Sequence, residues 1–409
     1  MQGLNLHENA AVERALGAQQ AMLERTLTWA AVNSGSRNLA GLATMARLIG
    51  DACAPLPGEV EYLDAAPVEA IDGAGRVEPV AHGRNLRVTV RPAAPVQILL
   101  TGHMDTVFAA DHAFQATRWI DDATLGGPGV ADMKGGIAVM LAALAAVEAV
   151  GELRLGYQIV INSDEEVGSL GSAALIADSA RGKRAALTYE PSALPDGTLA
   201  GARPGSGNFS FTVRGKSAHA GRNPEDGRNA LVAAADLALR LKAAVGPGLA
   251  INPAKIDGGG PNNVVPDLAV LRVNLRPASI ADQALAEQLI AATLAAVAAE
   301  HDVTIERHGH FARPPKPMTP AAEALFKLVA AAGADLGQAI GWRASGGVCD
   351  GNNIAACGVP VVDTMGVRGG SIHSLDEFLI VASLGERAAL SALTLLRLAA
   401  NPPPPGFAA

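Results

Sequence analysis

The chain has 409 residues, 49% of them apolar but only 3% aromatic, and a formal net charge of −8 at pH 7. That length predicts two or three domains with a sizeable core. The negative balance and the scarcity of aromatic side chains exclude a general electrostatic or stacking case for nucleic acid or an anionic membrane as partner.

At the N-terminus Glu8, Glu13, Arg14 and Glu24 leave no apolar h-region, so no signal peptide is read. Periodicity predicts a helix over 21–32, a loop at Asn33-Ser34-Gly35-Ser36 and an amphipathic helix over 39–49. Strand-like runs follow at 59–63, 86–90 and 96–100. Residues 135–150 are apolar nearly all round and predict a buried helix. Two further apolar strands, 155–161 and 185–189, each end in carboxylates, and 358–365 is a third. Strands alternating with helices in this way predict a mostly parallel sheet covered on both faces. The pattern changes between 205 and about 313. Strands over 208–214, 268–275 and 303–307 with helices over 227–245 and 280–300 suggest a β-α-β-β-α-β insertion, which can close into a small four-stranded sandwich. The chain then returns to the first domain through helices at 321–333 and 383–399. Asn401-Pro402-Pro403-Pro404-Pro405 reads as a frayed, low-complexity end. The longest Ala-rich stretches are interrupted by charges within a span too short for a bilayer. Cys53, Cys349 and Cys357 lack zinc-like spacing and fit a reducing compartment. The expectation is a soluble, cytoplasmic protein, although a chain whose leader had been removed would read the same.

Three motifs carry chemistry. Gly102-His103-Met104-Asp105-Thr106 ends one strand, Gly129-Val130-Ala131-Asp132-Met133-Lys134-Gly135-Gly136 opens the buried helix, and Ser163-Asp164-Glu165-Glu166-Val167-Gly168-Ser169 follows another strand. Successive strand ends that deliver His, Asp and paired Glu are how an α/β fold assembles a metal site. A co-catalytic metal pair takes about five such ligands with one carboxylate bridging. The candidates are His103, Asp132, Glu165 or Glu166, Glu190 and His373, the last in the Gly-rich loop Gly369-Gly370-Ser371-Ile372-His373-Ser374. Each alone has a plainer reading, since an Asp before a Gly-rich helix start is often only an N-cap. Five at successive strand ends of one sheet do not share it. Asp105 lies two residues beyond His103, on the same side of an extended segment, and can accept the second imidazole N–H. Glu165 and Glu166 point apart if the strand continues, so one can ligate while the other acts as general base on a water whose pKa a metal lowers from about 15.7 toward about 7.

These motifs, with Trp29-Ala30-Ala31-Val32-Asn33-Ser34-Gly35 upstream, resemble the co-catalytic zinc family of aminoacylases and exopeptidases that includes glutamate carboxypeptidase, acetylornithine deacetylase and succinyl-diaminopimelate desuccinylase. The overall look is nearest the glutamate carboxypeptidase branch and extends over essentially the whole chain. The resemblance implies an α/β, zinc-exopeptidase-like catalytic domain (1–204 and 314–409) with an inserted ferredoxin-like α+β lid and dimerisation domain (205–313). It implies two Zn²⁺ per chain, with Co²⁺ or Mn²⁺ as substitutes: Asp132 bridging, His103 and Glu190 completing one site, Glu166 and His373 the other. Glu165 becomes the general base and later the proton donor to the leaving amine, Asp105 orients His103, and the Asp132–Met133 peptide is cis. Within Gly215-Lys216-Ser217-Ala218-His219-Ala220-Gly221, His219 would serve the partner subunit's site and stabilise the oxyanion. Asn263 and Arg276 match substrate-binding lid positions, and the Arg276 fork suits a substrate carboxylate. Arg313, where the lid rejoins the core, is either a second carboxylate binder or a hinge arginine tying two domains. Cys349 stands where Ser is more usual, with no base beside it in sequence to make it a nucleophile.

The sequence therefore reads as a dinuclear zinc hydrolase, homodimeric through its lid, that cleaves an amide next to a free carboxylate in a small peptide or an N-acyl amino acid. The alternative within the class is an N-acyl amino acid deacylase. A non-catalytic zinc-binding scaffold on the same fold would be expected to lack Glu165. No G-x-G-x-x-G follows the first strand, and Gly258-Gly259-Gly260 falls in a lid loop, which argues against a dinucleotide enzyme.

Overall fold

The computed structural model describes residues 3–400; the proline-rich end read as frayed lies outside them. A six-stranded sheet runs in the order Glu59–Leu63, Asn85–Val90, Leu155–Asn162, Val96–His103, Ala185–Thr188, Val361–Val362. Its first two junctions are antiparallel and the other three parallel, so the sheet is mostly parallel, as predicted. Both faces are covered, and strand alternation shows it. Ile98 and Leu100 enter the core built with helices Leu6–Gly17, Gln19–Ala30, Leu39–Cys53, Gly135–Ala149, Pro320–Asp335 and Ala382–Ala399, while Leu99 joins Ile176 and Ile354 of helices Ala173–Ala180 and Asp350–Ala356 on the opposite face.

Helix Gly135–Ala149 is buried along nearly its whole circumference, which explains the absence of a polar stripe in its sequence. It opens on glycines for a reason of contact: a Cβ at Gly136 would overlap the Tyr189 carbonyl. That close approach sets the Asp132 turn beside the end of the Ala185–Thr188 strand, where Glu190 follows.

Residues 205–313 form a second unit. Its four strands are all antiparallel, in the order Leu249–Gly258, Leu268–Pro277, Ser206–Arg214, Thr304–Arg313, with helices Ala230–Ala243 and Ile280–His301 packed on the sheet around Phe211, Leu237, Leu271 and Ile290. The predicted β-α-β-β-α-β order is present, and Leu249–Gly258 is the strand that sequence reasoning implied but did not locate; Pro253 and a register shift interrupt its pattern. Two chain segments cross between the units, and they are bound to each other. Arg203 and Lys316 exchange backbone hydrogen bonds of 2.9 Å each, and the Asn352 amide donates to the carbonyls of both Pro204 (2.9 Å) and Pro314 (2.8 Å).

Two expectations need correction. Segments Val130–Ala149 and Ile280–His301 are long and apolar enough to cross a membrane by length and composition, so the Ala-rich stretches are not too short. The first is 89% buried as a core helix, whereas only 17% of the second is buried against its sheet. The strand predicted over 358–365 is reduced to Val361–Val362: Gly358 adopts a left-handed φ of +79°, and beyond the strand Thr364 makes only an isolated bridge to Tyr189.

Candidate metal centre and active site

The centre is built where strands end. His103 closes strand Val96–His103, with Nε2 3.0 Å from Asp132 Oδ1 and 3.7 Å from Glu190 Oε1. Asp132 sits in the turn before the buried helix, and its peptide to Met133 is cis. On the other side of Asp132, His373 Nε2 lies 3.3 Å from its Oδ2 and 3.1 Å from Glu166 Oε2. His373 stands at φ +63° in its loop with its side chain half exposed, while the other members are buried or nearly so. The structure thus brings together all five residues proposed as ligands. His103, Asp132 and Glu166 can offer donor atoms to one ion, and His103, Glu165 and Glu190 form a second such group.

The side chains fit divalent cations. Three or four carboxylates share a buried floor with two imidazoles, a nitrogen and oxygen donor set suited to zinc-like ions. Burial, and then the charge of Asp132, pushes both Glu166 and Glu190 up to about 8. At Asp132 burial acts the same way, but hydrogen bonds from His103 and His373 outweigh it and hold the carboxyl below the usual carboxylate range. His373 is pushed up to about 11 by its bonds to Asp132 and Glu166. Burial thus disfavours the ionised form of these carboxyls, a cost that cations bound among them would offset.

The supporting contacts differ from expectation in three places. His103 Nδ1 meets the backbone carbonyl of Asp105 at 3.0 Å, with the Asp105 carboxylate at 3.4 Å. That carboxylate instead accepts the N–H groups of Glu165 (3.1 Å) and Glu166 (3.2 Å) and the Ser36 hydroxyl (2.7 Å). Asp105 therefore ties the His103 strand to the glutamate pair. Glu165 and Glu166 do not diverge along a continuing strand, because strand Leu155–Asn162 has ended and Glu165–Val167 is a single 3-10 turn. Arg313 is not open to a substrate carboxylate: its Nη1 is 2.6 Å from Glu165 Oε1 and its Nη2 donates to Ser169 Oγ at 3.0 Å, with Asp350 at 3.6 Å. Of its two sequence readings, the structure favours the domain-tying arginine.

Above the floor is a cavity of about 460 Å³, lined among others by Asp132, Glu165, Glu190, Arg203, Cys349 and His373. Cys349 is buried and burial pushes its thiol well above its ordinary value, which suits a wall residue and not a nucleophile. Arg276 is half-buried and does not itself line the cavity; it donates from Nε to Asn274 at 3.0 Å and from Nη1 to the carbonyl of Gly346, between the lining residues Ser345 and Gly347, at 3.1 Å. His219 and Asn263 are exposed, are joined through the Ala220 N–H to Asn263 carbonyl bond (2.9 Å), and do not line this cavity.

Sequence reasoning missed two groups. The Glu377 carboxylate accepts the N–H groups of Gly129 (3.0 Å), Ala131 (2.9 Å) and Asp132 (3.1 Å), fixing the Asp132 turn from behind. Its only local signal was its place four residues after His373. Arg203 makes a two-point contact with Asp363 (2.8 and 3.0 Å), whose carboxylate also takes Lys316 Nζ at 2.8 Å. These three residues come from segments far apart in sequence, and no spacing rule links them.

A sequence profile described as Peptidase family M20/M25/M40 matches residues 99–397. Carboxypeptidase G2 of Pseudomonas sp. (strain RS-16) is 31% identical over 332 residues, 78% of each chain. A succinyl-diaminopimelate desuccinylase of Xanthomonas oryzae pv. oryzae (strain PXO99A) is 30% identical over 335 residues, covering 77% of this chain and 86% of its own. Among solved structures, a tripeptidase from Staphylococcus aureus subsp. aureus mu50 has a TM-score of 0.71 over 93% of this chain and 98% of its own, at 23% identity, which is a likeness of fold.

Proposed function

Because the chain belongs to peptidase family M20/M25/M40 and is accordingly a metal-dependent hydrolase of carboxypeptidase or aminoacylase type, we propose that it is a two-zinc enzyme that cleaves an amide beside a free carboxylate. Its substrates on this reading are small peptides ending in that carboxylate or N-acyl amino acids. The observation that carries the proposal is the meeting of His103, Asp132, Glu166, Glu190 and His373 on the floor of one cavity, with Glu165 beside them and held by Arg313.

Bound divalent ions would polarise the scissile carbonyl and acidify a water molecule. Glu165 takes the proton of the attacking water and returns it to the leaving amine. The Arg313 guanidinium pairs with this carboxylate, Nη1 lying 2.6 Å from Glu165 Oε1. Arg276 is the carboxylate-binding group; to take a substrate it exchanges its bond to the Gly346 carbonyl for a two-point contact. In this reading the 205–313 unit is a lid and dimerisation domain, and His219 with Asn263 reaches the cavity of a second copy.

The test is hydrolysis of a panel of dipeptides and N-acyl amino acids by protein stripped with a chelator and then given zinc. Activity restored by about two equivalents of zinc, on substrates with a free carboxylate and not on their amides, is the expected result. Equal activity on the amides would remove the carboxylate from the proposal, and activity indifferent to chelation would remove the metals.

A further inference from the structure

Behind one wall of the catalytic cavity lies a second, separate cavity of about 220 Å³, between the Asp196–Gly197 turn, residues 337–340 and the last helix. Arg387, on helix Ala382–Ala399, lines it and is 1% exposed. Its Nη2 donates to the Gly197 carbonyl at 2.8 Å, but its buried Nη1 has no hydrogen-bond partner. Among the described residues no carboxylate forms an ion pair with it. Of the two acids that share the cavity, Glu386 pairs with Arg368 Nε at 3.0 Å and Asp196, exposed at the rim, accepts the Thr198 N–H at 2.8 Å; both attract Arg387 without pairing with it. Burial, and then the charge of Arg368, draws Arg387 down to about 10, which leaves it charged at neutral pH.

A buried guanidinium with one hydrogen bond and no counter-ion is costly, because its desolvation is not offset by attraction. The guanidinium forms part of the cavity wall, with Nη1 closed off from solvent. Gly197 has φ +102°, and a Cβ there would come within 3.1 Å of Arg387 Nη2. Arg368 brings a second guanidinium to the same space and donates to the Pro195 carbonyl at 3.4 Å, in the loop that also borders the catalytic cavity. We propose that this cavity is a binding site for a small monoanion, either chloride or a carboxylate of acetate size, held by Nη1 of Arg387. A monoanion matches the one guanidinium here that no carboxylate pairs with, and at ~30 Å³ per water molecule the volume holds either species with room to spare.

The experiment uses the metal-loaded enzyme in a Tris–HEPES buffer, whose anion is too large for the cavity, titrated separately with chloride, acetate and phosphate. Thermal unfolding and ³⁵Cl NMR line broadening are read together. The expected result is a saturable rise of the wild-type midpoint with chloride or acetate, and line broadening that acetate reverses if the carboxylate is the better ligand. Arg387→Met keeps an unbranched stem but removes the guanidinium, so both responses should vanish while zinc content stays at the wild-type level. Should that variant fail to fold, Gly197→Ala tests the same site by crowding the guanidinium, with chloride affinity falling about tenfold, a change of about 1.4 kcal/mol. Responses equal in wild type and variants, no response in the wild type, or a preference for phosphate over both monoanions would overturn the proposal.

Discussion

Glu165 gains a specific physical setting from its partner. Its carboxylate shares a buried floor with Asp132, Glu166 and Glu190, and Arg313 Nη1 lies 2.6 Å from its Oε1. If Glu165 is base and not ligand, Glu165→Gln should retain both metals and near-normal KM while kcat falls by ~10²–10⁴-fold. Metal analysis beside the kinetics decides it, since loss of metal along with rate would make Glu165 a ligand. A second residue-scale prediction concerns Asp363, where burial works to raise the carboxyl but Arg203 and then Lys316 outweigh it and hold it at about 2, below its ordinary 3.8. A carboxylate depressed on folding contributes stability that is present above its unfolded pKa and lost as pH falls through the folded one, here from about 4 down to about 2. Asp363→Asn leaves two buried cations without their acid and should cost about 3–5 kcal/mol at pH 7. Urea midpoints should show that gap narrowing between about pH 4 and pH 2. A variant as stable as wild type at pH 7 would show that Arg203 and Lys316 find other partners.

At the level of elements, legibility followed local pattern. The long core strands and helices carried continuous apolar runs, and Glu59–Leu63 falls at its predicted limits. The five candidate ligands were readable because each ends or follows such a run. Helix Leu6–Gly17 was not predicted, although Asn5 and Glu8 form a reciprocal capping box that could have marked its start. The hairpin of Val68–Ile71 with Val77–Val80 and the small sheet that leads to the His373 loop have strands of two to four residues, too short for a period to register. Arg203 and Glu377 act across tertiary distances, and only the fold reveals them. The start of helix Gly135–Ala149 yields a prediction, because it is where packing and chemistry meet. Gly136→Ala would press a methyl group on the Tyr189 carbonyl, one residue from Glu190. Overpacking of this kind costs about 1–3 kcal/mol, and the displaced strand end should lower metal occupancy if Glu190 is a ligand as proposed. A normal melting temperature together with full metal content would show that the strand end yields without consequence.

For the whole molecule, the question is whether one chain makes a complete site. His219 and Asn263 sit exposed in the 205–313 unit, and the cavity of their own chain is lined without them. That unit also carries apolar surface that its own sheet does not cover. Val232 and Leu239, seven residues apart on one helix face, are 52% and 70% exposed, and Ile280 and Leu285 of the long helix are 66% and 61% exposed. Exposed apolar side chains grouped in this way mark an association surface more often than a free one. A homodimer joined through residues 205–313 would cover them and carry His219 toward the neighbouring cavity, where an imidazole can stabilise a developing oxyanion. Light scattering should then give the mass of a dimer. Glu165→Gln and His219→Ala should each be nearly inactive alone, since each lacks one half of every site. After subunit exchange, half of the dimers formed by random pairing are mixed, and each mixed dimer has one site with both residues intact, so the mixture should recover about a quarter of wild-type activity. Exchange must be verified independently, for example by mass-tagged subunits. Verified exchange without recovery, or a fully active monomer, would return His219 to the role of an exposed residue whose Nδ1 accepts the Gly221 and Arg222 N–H groups at 3.1 Å each.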